Sequence, residues 1–187
     1  MAQKRKDWNG LISGFKASDL VFLDESGCNT DMTRQYAYSL GGSRAVDSAP
    51  LSKPKNTTIL SSIQLDGTLR YTTFSGGTTV ERFKRYLETD LLPHLNGNSV
   101  LIMDNMKSHH ARAVRNLLDS SEVRCIYLPP YSPDLNPIEK LWSKVKSFLR
   151  KFKARTLDAL PNAIQNAFHS VTVSDCSGWF RFCGYAL

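Results

Sequence analysis

Three acids in this chain each sit at the end or start of a separate element. Asp24 follows Leu20-Val21-Phe22-Leu23, and Asp104 follows Val100-Leu101-Ile102-Met103. Glu139 lies in Asp134-Leu135-Asn136-Pro137-Ile138-Glu139, with 34 residues between it and Asp104. Carboxylates gathered from three elements repel one another unless a cation neutralises them. Hard oxygen donors of this kind suit Mg²⁺ or Mn²⁺, which keep several waters and take substrate phosphates as further ligands. Two such ions about 3.5 to 4 Å apart activate the attacking oxygen and stabilise the leaving one in an in-line displacement at phosphorus. No side chain then has to act as general base.

Each acid also has an ordinary structural use. Asn136 is a good N-cap and Pro137 suits the first helical position, so Glu139 at the third fits a capping box. Asp24 and Asp104 each end an apolar run, where an aspartate commonly forms a turn. Their joint occurrence favours a shared site, because a sheet that pairs the two strands brings both acids together. Glu25, Asp31 and Asp134 are rival ligands. Glu25 should point to the opposite sheet face from Asp24, and Asp134 stands in a turn. Asn105 is placed to orient Asp104, and His109 to act as a positioning group or a substrate-phosphate contact at a helix start.

The elements that must hold these residues follow from pattern. Residues 1–19 read as a basic, weakly structured leader, and a strand runs from about Leu20 to Asp24. The region from about Gly27 to Asn56, rich in Gly, Ser and Pro around Tyr36-Ala37-Tyr38, is expected to hold a second strand followed by a long excursion that ends in Lys53-Pro54-Lys55. Thr57 to Leu65 and Leu69 to Phe74 form a hairpin about Asp66-Gly67. Thr78 or Thr79 caps a helix carrying Val80, Phe83, Leu87 and Leu91, which ends near Pro93. Val100 to Met103 is a wholly apolar strand of the buried kind. Ser108 caps a helix with Ala111, Val114, Leu117 and Leu118, Val123 to Leu128 is a strand, and a helix begins at Pro137. A last helix covers roughly Thr156 to Phe168. Antiparallel strands followed by strand-helix-strand units give an α/β fold, a mixed sheet flanked by helices.

With 187 residues, of which 41% are hydrophobic, the chain suits one domain with one sizeable core. No apolar run approaches the about 18 to 20 residues of a membrane span, and the charged opening lacks the apolar stretch of a signal peptide. A cytoplasmic protein with no membrane partner is the expectation. Cys28, Cys125, Cys176 and Cys183 show no close pair of the zinc-binding kind, so free thiols are expected. Net charge is +7, and residues 140–155 hold seven Lys or Arg with no acid, which favours a polyanionic partner. At about 100° per residue, Glu139, Ser143, Lys146 and Arg150 fall on one stripe of the helix that begins at Pro137. Ile138, Leu141, Trp142, Val145, Leu149 and Phe152 occupy its apolar side. The stripe reads as a polar and basic track for a phosphate-bearing partner, leading from Glu139, while Lys140, Lys144 and Lys151 lie on another flank and read as solvated surface.

These motifs resemble the catalytic domain of mariner-like cut-and-paste transposases, most closely their bacterial insertion-sequence relatives. The pieces are Phe22-Leu23-Asp24-Glu25-Ser26-Gly27, Met103-Asp104-Asn105 with His109, and Tyr131-Ser132-Pro133-Asp134-Leu135-Asn136-Pro137-Ile138-Glu139 followed by Trp142. The resemblance implies a ribonuclease-H-like DDE domain over residues 20–187, preceded by a leader or linker remnant over residues 1–19. It implies that Asp24, Asp104 and Glu139 bind two Mg²⁺ or Mn²⁺ ions. The activity implied is cleavage at transposon ends and transfer of the 3′-hydroxyl into target DNA at a TA step, by a homodimer in a bacterial, nucleoid-associated setting. Family members carry helix-turn-helix domains ahead of the catalytic domain, and residues 1–19 hold none. An upstream reading frame supplying that portion, or a truncation, is the corresponding expectation. The alternatives are a structure-specific nuclease of the same fold that cuts without joining, and a domesticated fragment that only binds DNA.

Overall fold

The computed structural model describes residues 2–34, 36–51 and 54–185, so Lys53 of the expected excursion lies outside the described residues. Five strands form one mixed sheet: β1 (Leu20–Cys28), β2 (Thr57–Gln64), β3 (Leu69–Ser75), β4 (Val100–Met103) and β5 (Arg124–Tyr127), in the order β3-β2-β1-β4-β5. β1 pairs antiparallel with β2, and β2 with β3, whereas β4 lies parallel to both β1 and β5. The hairpin between β2 and β3 turns where expected. Gly67 takes φ +88°, which a side chain would strain, and the Thr68 N–H donates to Asp66 Oδ1 at 2.8 Å.

β1 is buried on both faces, and its alternation sorts the molecule into two cores. Leu20 and Phe22 join Ile102 beneath α4 (Ile138–Phe152), α5 (Ala159–His169) and α6 (Val173–Phe182). Val21 and Leu23 join Leu101 and Met103 beneath α2 (Val80–Tyr86) and α3 (Arg112–Ser120). Phe22 meets the Phe180 ring edge-on at 5.4 Å, so truncating it to alanine would cost about 3 to 5 kcal/mol. Thr79 caps α2 by accepting from the Arg82 N–H, and the helix runs on through a π turn over Leu87–Leu91.

Several expectations are corrected. Residues 2–12 are not weakly structured: they form α1 (Ala2–Ile12), whose Trp8 is 3% exposed within the first core. β1 extends four residues past Asp24, and no strand forms between residues 29 and 56 among the described residues. Both edges of β1 are already paired, leaving no neighbouring edge for such a strand, and Tyr36, Tyr38, Leu40, Val46 and Leu51 are exposed. Ser108 caps no helix. Lys107–His110 makes a short 3-10 turn, Ala111 is extended (ψ 142°), and α3 starts at Arg112, leaving the buried Ser108 hydroxyl without a partner among the described residues.

A further helix, α6, follows the one expected to be last, and its Thr172-x-x-Asp175 capping box was readable in the sequence. Phe152, assigned to the core, is 45% exposed in the last turn of α4, beyond the sheet, where it stacks on Phe148. The cysteines are free, and among the described residues no helix is long and apolar enough to cross a membrane.

Candidate active site

The site grows out of strand register. β1 and β4 pair in parallel up to Leu23 opposite Met103, so Asp24, still within β1, and Asp104, just past the end of β4, stand at the same height. Both continue the alternation of Leu20-Phe22 and Val100-Ile102, which directs them to the sheet face covered by α4. Trp142 of α4 packs on that face, and its indole N–H donates to Asp24 Oδ2 at 3.1 Å.

The proline-rich segment between β5 and α4 is fixed from several sides. The Leu128 N–H donates to Met103 O at 2.9 Å and Asn105 Nδ2 to Leu128 O at 2.8 Å, which ties the segment's start to the end of β4. Arg5 of α1 donates to Ser132 Oγ at 3.2 Å and grips both carboxylate oxygens of Asp134, and the Tyr185 hydroxyl donates to Leu135 O. Glu139 then emerges as the second residue of α4. The capping box is not made, since Asn136 Oδ1 has no partner among the described residues. Asp24, Asp104, Asn105, Tyr131, Asn136 and Glu139 all line one cavity of about 450 Å³.

The surroundings set the charges differently. Burial pushes the Asp24 carboxyl up to about 7, against hydrogen bonds from the Glu25 backbone and Trp142 but helped by the nearby Glu139 and Asp104 charges. For Asp104 burial also pushes upward, yet the His109 hydrogen bond and the Met106 N–H together hold it below its ordinary value. His109 is fully buried, with Nδ1 2.9 Å from Asp104 Oδ1 and Nε2 3.2 Å from Glu25 Oε1. Burial alone would lower its pKa, but the two carboxylates outweigh it and raise it to about 9.

A divalent cation suits this chemistry. Three acids face one cavity, and burial, helped by the Glu139 and Asp104 charges, raises the Asp24 pKa to about 7. Among the described residues no three His, Cys, Asp or Glu side chains converge tightly enough to enclose an ion by themselves. A bound ion would complete its shell from water and phosphate, as Mg²⁺ commonly does.

The other expected residues divide. Glu25 does face away from Asp24, where Thr78 Oγ1 donates to its Oε2, and Asp134 is held by Arg5. Asn105 lines the cavity but bonds Leu128 and His110 rather than Asp104, so it anchors the loop instead of orienting the acid. His109, at 0% exposure, is no phosphate contact. Ser143, Lys146 and Arg150 do not line the acid cavity. Ser143 borders a groove with Phe148 and Trp179, Arg150 one with Arg34 and Tyr36, and Lys146 lies near enough to Cys28 to offset part of the burial that raises that thiol. The flank read as solvated is engaged: Lys144 pairs with Asp175 at 2.6 Å and Lys140 sits 3.8 Å above the Phe182 ring centre.

The sequence reading missed Trp142, assigned to the core, as a donor to Asp24. A buried indole N–H needs an acceptor, and that need was the available signal. Arg5 and Tyr185 had no signal, because their partners lie 127 and 50 residues away.

Comparison with known proteins bears on the whole arrangement. The model of the DDE superfamily endonuclease family matches residues 19–161. The Tc1 transposase of Caenorhabditis elegans is 30% identical over 97 residues, covering 50% of this chain and 36% of that protein. The catalytic domain of Mos1 mariner transposase superposes with a TM-score of 0.73 at 17% identity, over 96% of this chain and 85% of that one. A Mos1 mariner paired-end complex with Mn gives 0.79 at 21% identity, over 95% of this chain and 57% of that one. The fold is thus the ribonuclease-H-like arrangement of the Mos1 catalytic domain. The chain spans only about a third of the length of the Tc1 transposase that it matches.

Proposed function

The chain belongs to the DDE superfamily endonucleases, and we propose that it is a transposase catalytic domain. On this reading it cuts DNA at transposon ends and joins the freed 3′-hydroxyl to target DNA. The observation that carries the reading is that Asp24 from within β1, Asp104 from the end of β4 and Glu139 from the start of α4 line one cavity. Asp24, Asp104 and Glu139 would hold two Mg²⁺ or Mn²⁺ ions. Bound there, the ions would supply Lewis-acid stabilisation of the attacking and leaving oxygens at phosphorus. Similarity to Mos1 paired-end complexes, one with Mn and one with the left transposon end, supports the same choice of cation and of transposon-end DNA as partner, and a homodimer belongs to the same proposal.

The chain's own residues contribute position and charge. Trp142 fixes one Asp24 oxygen, His109 fixes Asp104, and Arg5 with Tyr185 holds the loop that presents Glu139. The test is Mn²⁺-dependent nicking of supercoiled plasmid, followed by a strand-transfer assay with a pre-cut oligonucleotide. Nicking lost in Glu139→Gln, together with joined product from the wild type, supports the transposase reading. Nicking without any joined product favours the nuclease of the same fold.

A further inference from the structure

Glu25 follows Asp24 directly in sequence, yet it serves the other face of the sheet. There it meets His109, which reaches back to Asp104. The chain of contacts is closed at every step. Thr78 Oγ1 donates to Glu25 Oε2, His109 Nε2 lies 3.2 Å from Glu25 Oε1, and His109 Nδ1 lies 2.9 Å from Asp104 Oδ1 and 3.1 Å from Asp104 O. The imidazole is stacked on Phe83 with centroids 4.3 Å apart and planes at 26°, and its backbone carbonyl accepts from the Tyr127 hydroxyl at 3.3 Å. A fully buried ring held on one face and at both nitrogens has a single orientation in which each N–H finds an acceptor.

We infer that Glu25 is a positioning residue for the divalent-metal site: through His109 it fixes the rotamer of Asp104, and it is not itself a metal ligand. This rests on the reading of Asp24, Asp104 and Glu139 as the metal-binding acids. Both Glu25 oxygens are committed, to Thr78 and to His109, on the face of the sheet away from the acid cavity, which Glu25 does not line. Asp104 is the acid that needs such support. Its side chain is 41% exposed, and among the described residues its carboxylate is held only by the Met106 N–H at 3.0 Å and by His109. Outer partners that orient a ligand in this way typically change metal affinity by about 10- to 100-fold when removed.

The experiment is calorimetric titration of the whole chain with Mn²⁺, without DNA, for the wild type and for Glu25→Ala, Glu25→Gln, His109→Ala, Asp104→Asn and the Glu25→Ala/His109→Ala double variant. Glu25→Ala should weaken Mn²⁺ binding by about tenfold or more. Glu25→Gln, which keeps an oxygen acceptor for His109, should recover most of that loss. The double variant should bind no more weakly than His109→Ala alone, since both act through one path. In plasmid nicking, Glu25→Ala should need more Mn²⁺ but approach the wild-type rate at saturation. If Glu25→Ala does not fold, Glu25→Asp, which withdraws the carboxylate by one methylene, carries the same comparison. Wild-type affinity in folded Glu25→Ala or Glu25→Asp would overturn the inference, as would additive losses in the double variant. A Glu25→Gln defect as deep as that of Asp104→Asn would make Glu25 a ligand and overturn it too. Failure of the wild type to bind Mn²⁺ would remove the site reading itself, and this inference with it.

Discussion

Asp24 and Asp104 stand at the same height on neighbouring parallel strands, one within β1 and one just past β4, and their surroundings drive their protons in opposite directions. On the Asp24 side, α4 covers the carboxyl with Trp142 and brings Glu139 close, so burial and like charge keep the proton on up to about pH 7. On the Asp104 side, the turn after β4 supplies the Met106 N–H and His109, and the carboxylate is charged well below neutrality. Strand register makes the two positions equivalent; the elements packed above and below make them different. One acid is neutralised in advance by the protein, and the other is left for a cation to neutralise.

The largest expected effect breaks this comparison at both ends. Asp24→Asn, Asp104→Asn and Glu139→Gln should each bring Mn²⁺-dependent nicking to background, since an amide keeps the volume but loses the ligand charge. Their metal-free stabilities should then diverge. At pH 8 Asp24→Asn should melt higher than the wild type, because it removes a charge that folding buries. The ceiling is about 4 kcal/mol for a shift from 3.8 to about 7, and relaxation would reduce it. Asp104→Asn should melt lower by about 1 to 3 kcal/mol, because buried His109 loses its charged partner. Melting curves beside nicking assays check both. Equal shifts of one sign would show that the two carboxylates share one environment.

The pH dependence sharpens the same contrast. Folded Asp24 keeps its proton to about pH 7, whereas the unfolded chain releases it near the ordinary aspartate value of about 3.9. In that window the folded state binds more protons, so metal-free stability falls as pH rises from about 4 to 7. His109 adds a second fall. Its contribution is complete below about 6.5 and is lost as pH rises through about 9. Asp104 works the other way, adding stability above the ordinary aspartate range that disappears as pH drops through its lowered pKa. Melting temperature measured from pH 4.5 to 9.5 should decline through both windows in the wild type. In Asp24→Asn only the upper decline should remain.

Added cation should reverse the first decline. Mg²⁺ or Mn²⁺ at 100 times its dissociation constant stabilises by about 2.7 kcal/mol through mass action. The shift should be larger at pH 8 than at pH 5.5, where the Asp24 proton competes with the ion. A shift of the same size at both values would place the cation away from Asp24.

Much of this contrast was legible in the sequence, and the illegible part has a common cause. The apolar run that stops at Asp104 announces the end of β4, and Asp66-Gly67 announces the hairpin, because those signals are local; the run that stops at Asp24 ends no strand, since β1 continues to Cys28. The opposite facing of Asp24 and Glu25 followed from strand alternation alone. What each carboxylate touches was not readable, since Trp142, His109 and Thr78 come from elements 118, 84 and 53 residues away from their partners. α1 was missed for the same reason. Its sequence is polar and carries little amphipathic signal, and its place depends on Trp8 entering the core and Arg5 meeting Asp134. The excursion over residues 29–56 was overread as containing a strand, because its aromatic residues carry β propensity but both edges of β1, which it follows, are already paired.

The smallest expected effect concerns the basic side chains that lead away from the two acids. On α4 the stripe of Glu139, Ser143, Lys146 and Arg150 starts at the acid cavity, but its members part company: Lys146 faces the end of β1 near Cys28, and Arg150 shares a groove with Arg34 and Lys151. Lys144 is already neutralised by Asp175. If the stripe is a phosphate track, Lys146→Ala and Arg150→Ala should each reduce the slope of log affinity against log salt by about one, uniformly across DNA sequences. Lys144→Ala should leave that slope unchanged and cost at most about 1 kcal/mol of stability, as a partly exposed ion pair does. Fluorescence anisotropy of a labelled duplex across a salt series separates the outcomes. Equal slope changes from all three would mean that DNA senses a diffuse positive field around α4. A change from Arg150→Ala alone would move the track off the stripe and into the groove formed with Arg34 and Lys151.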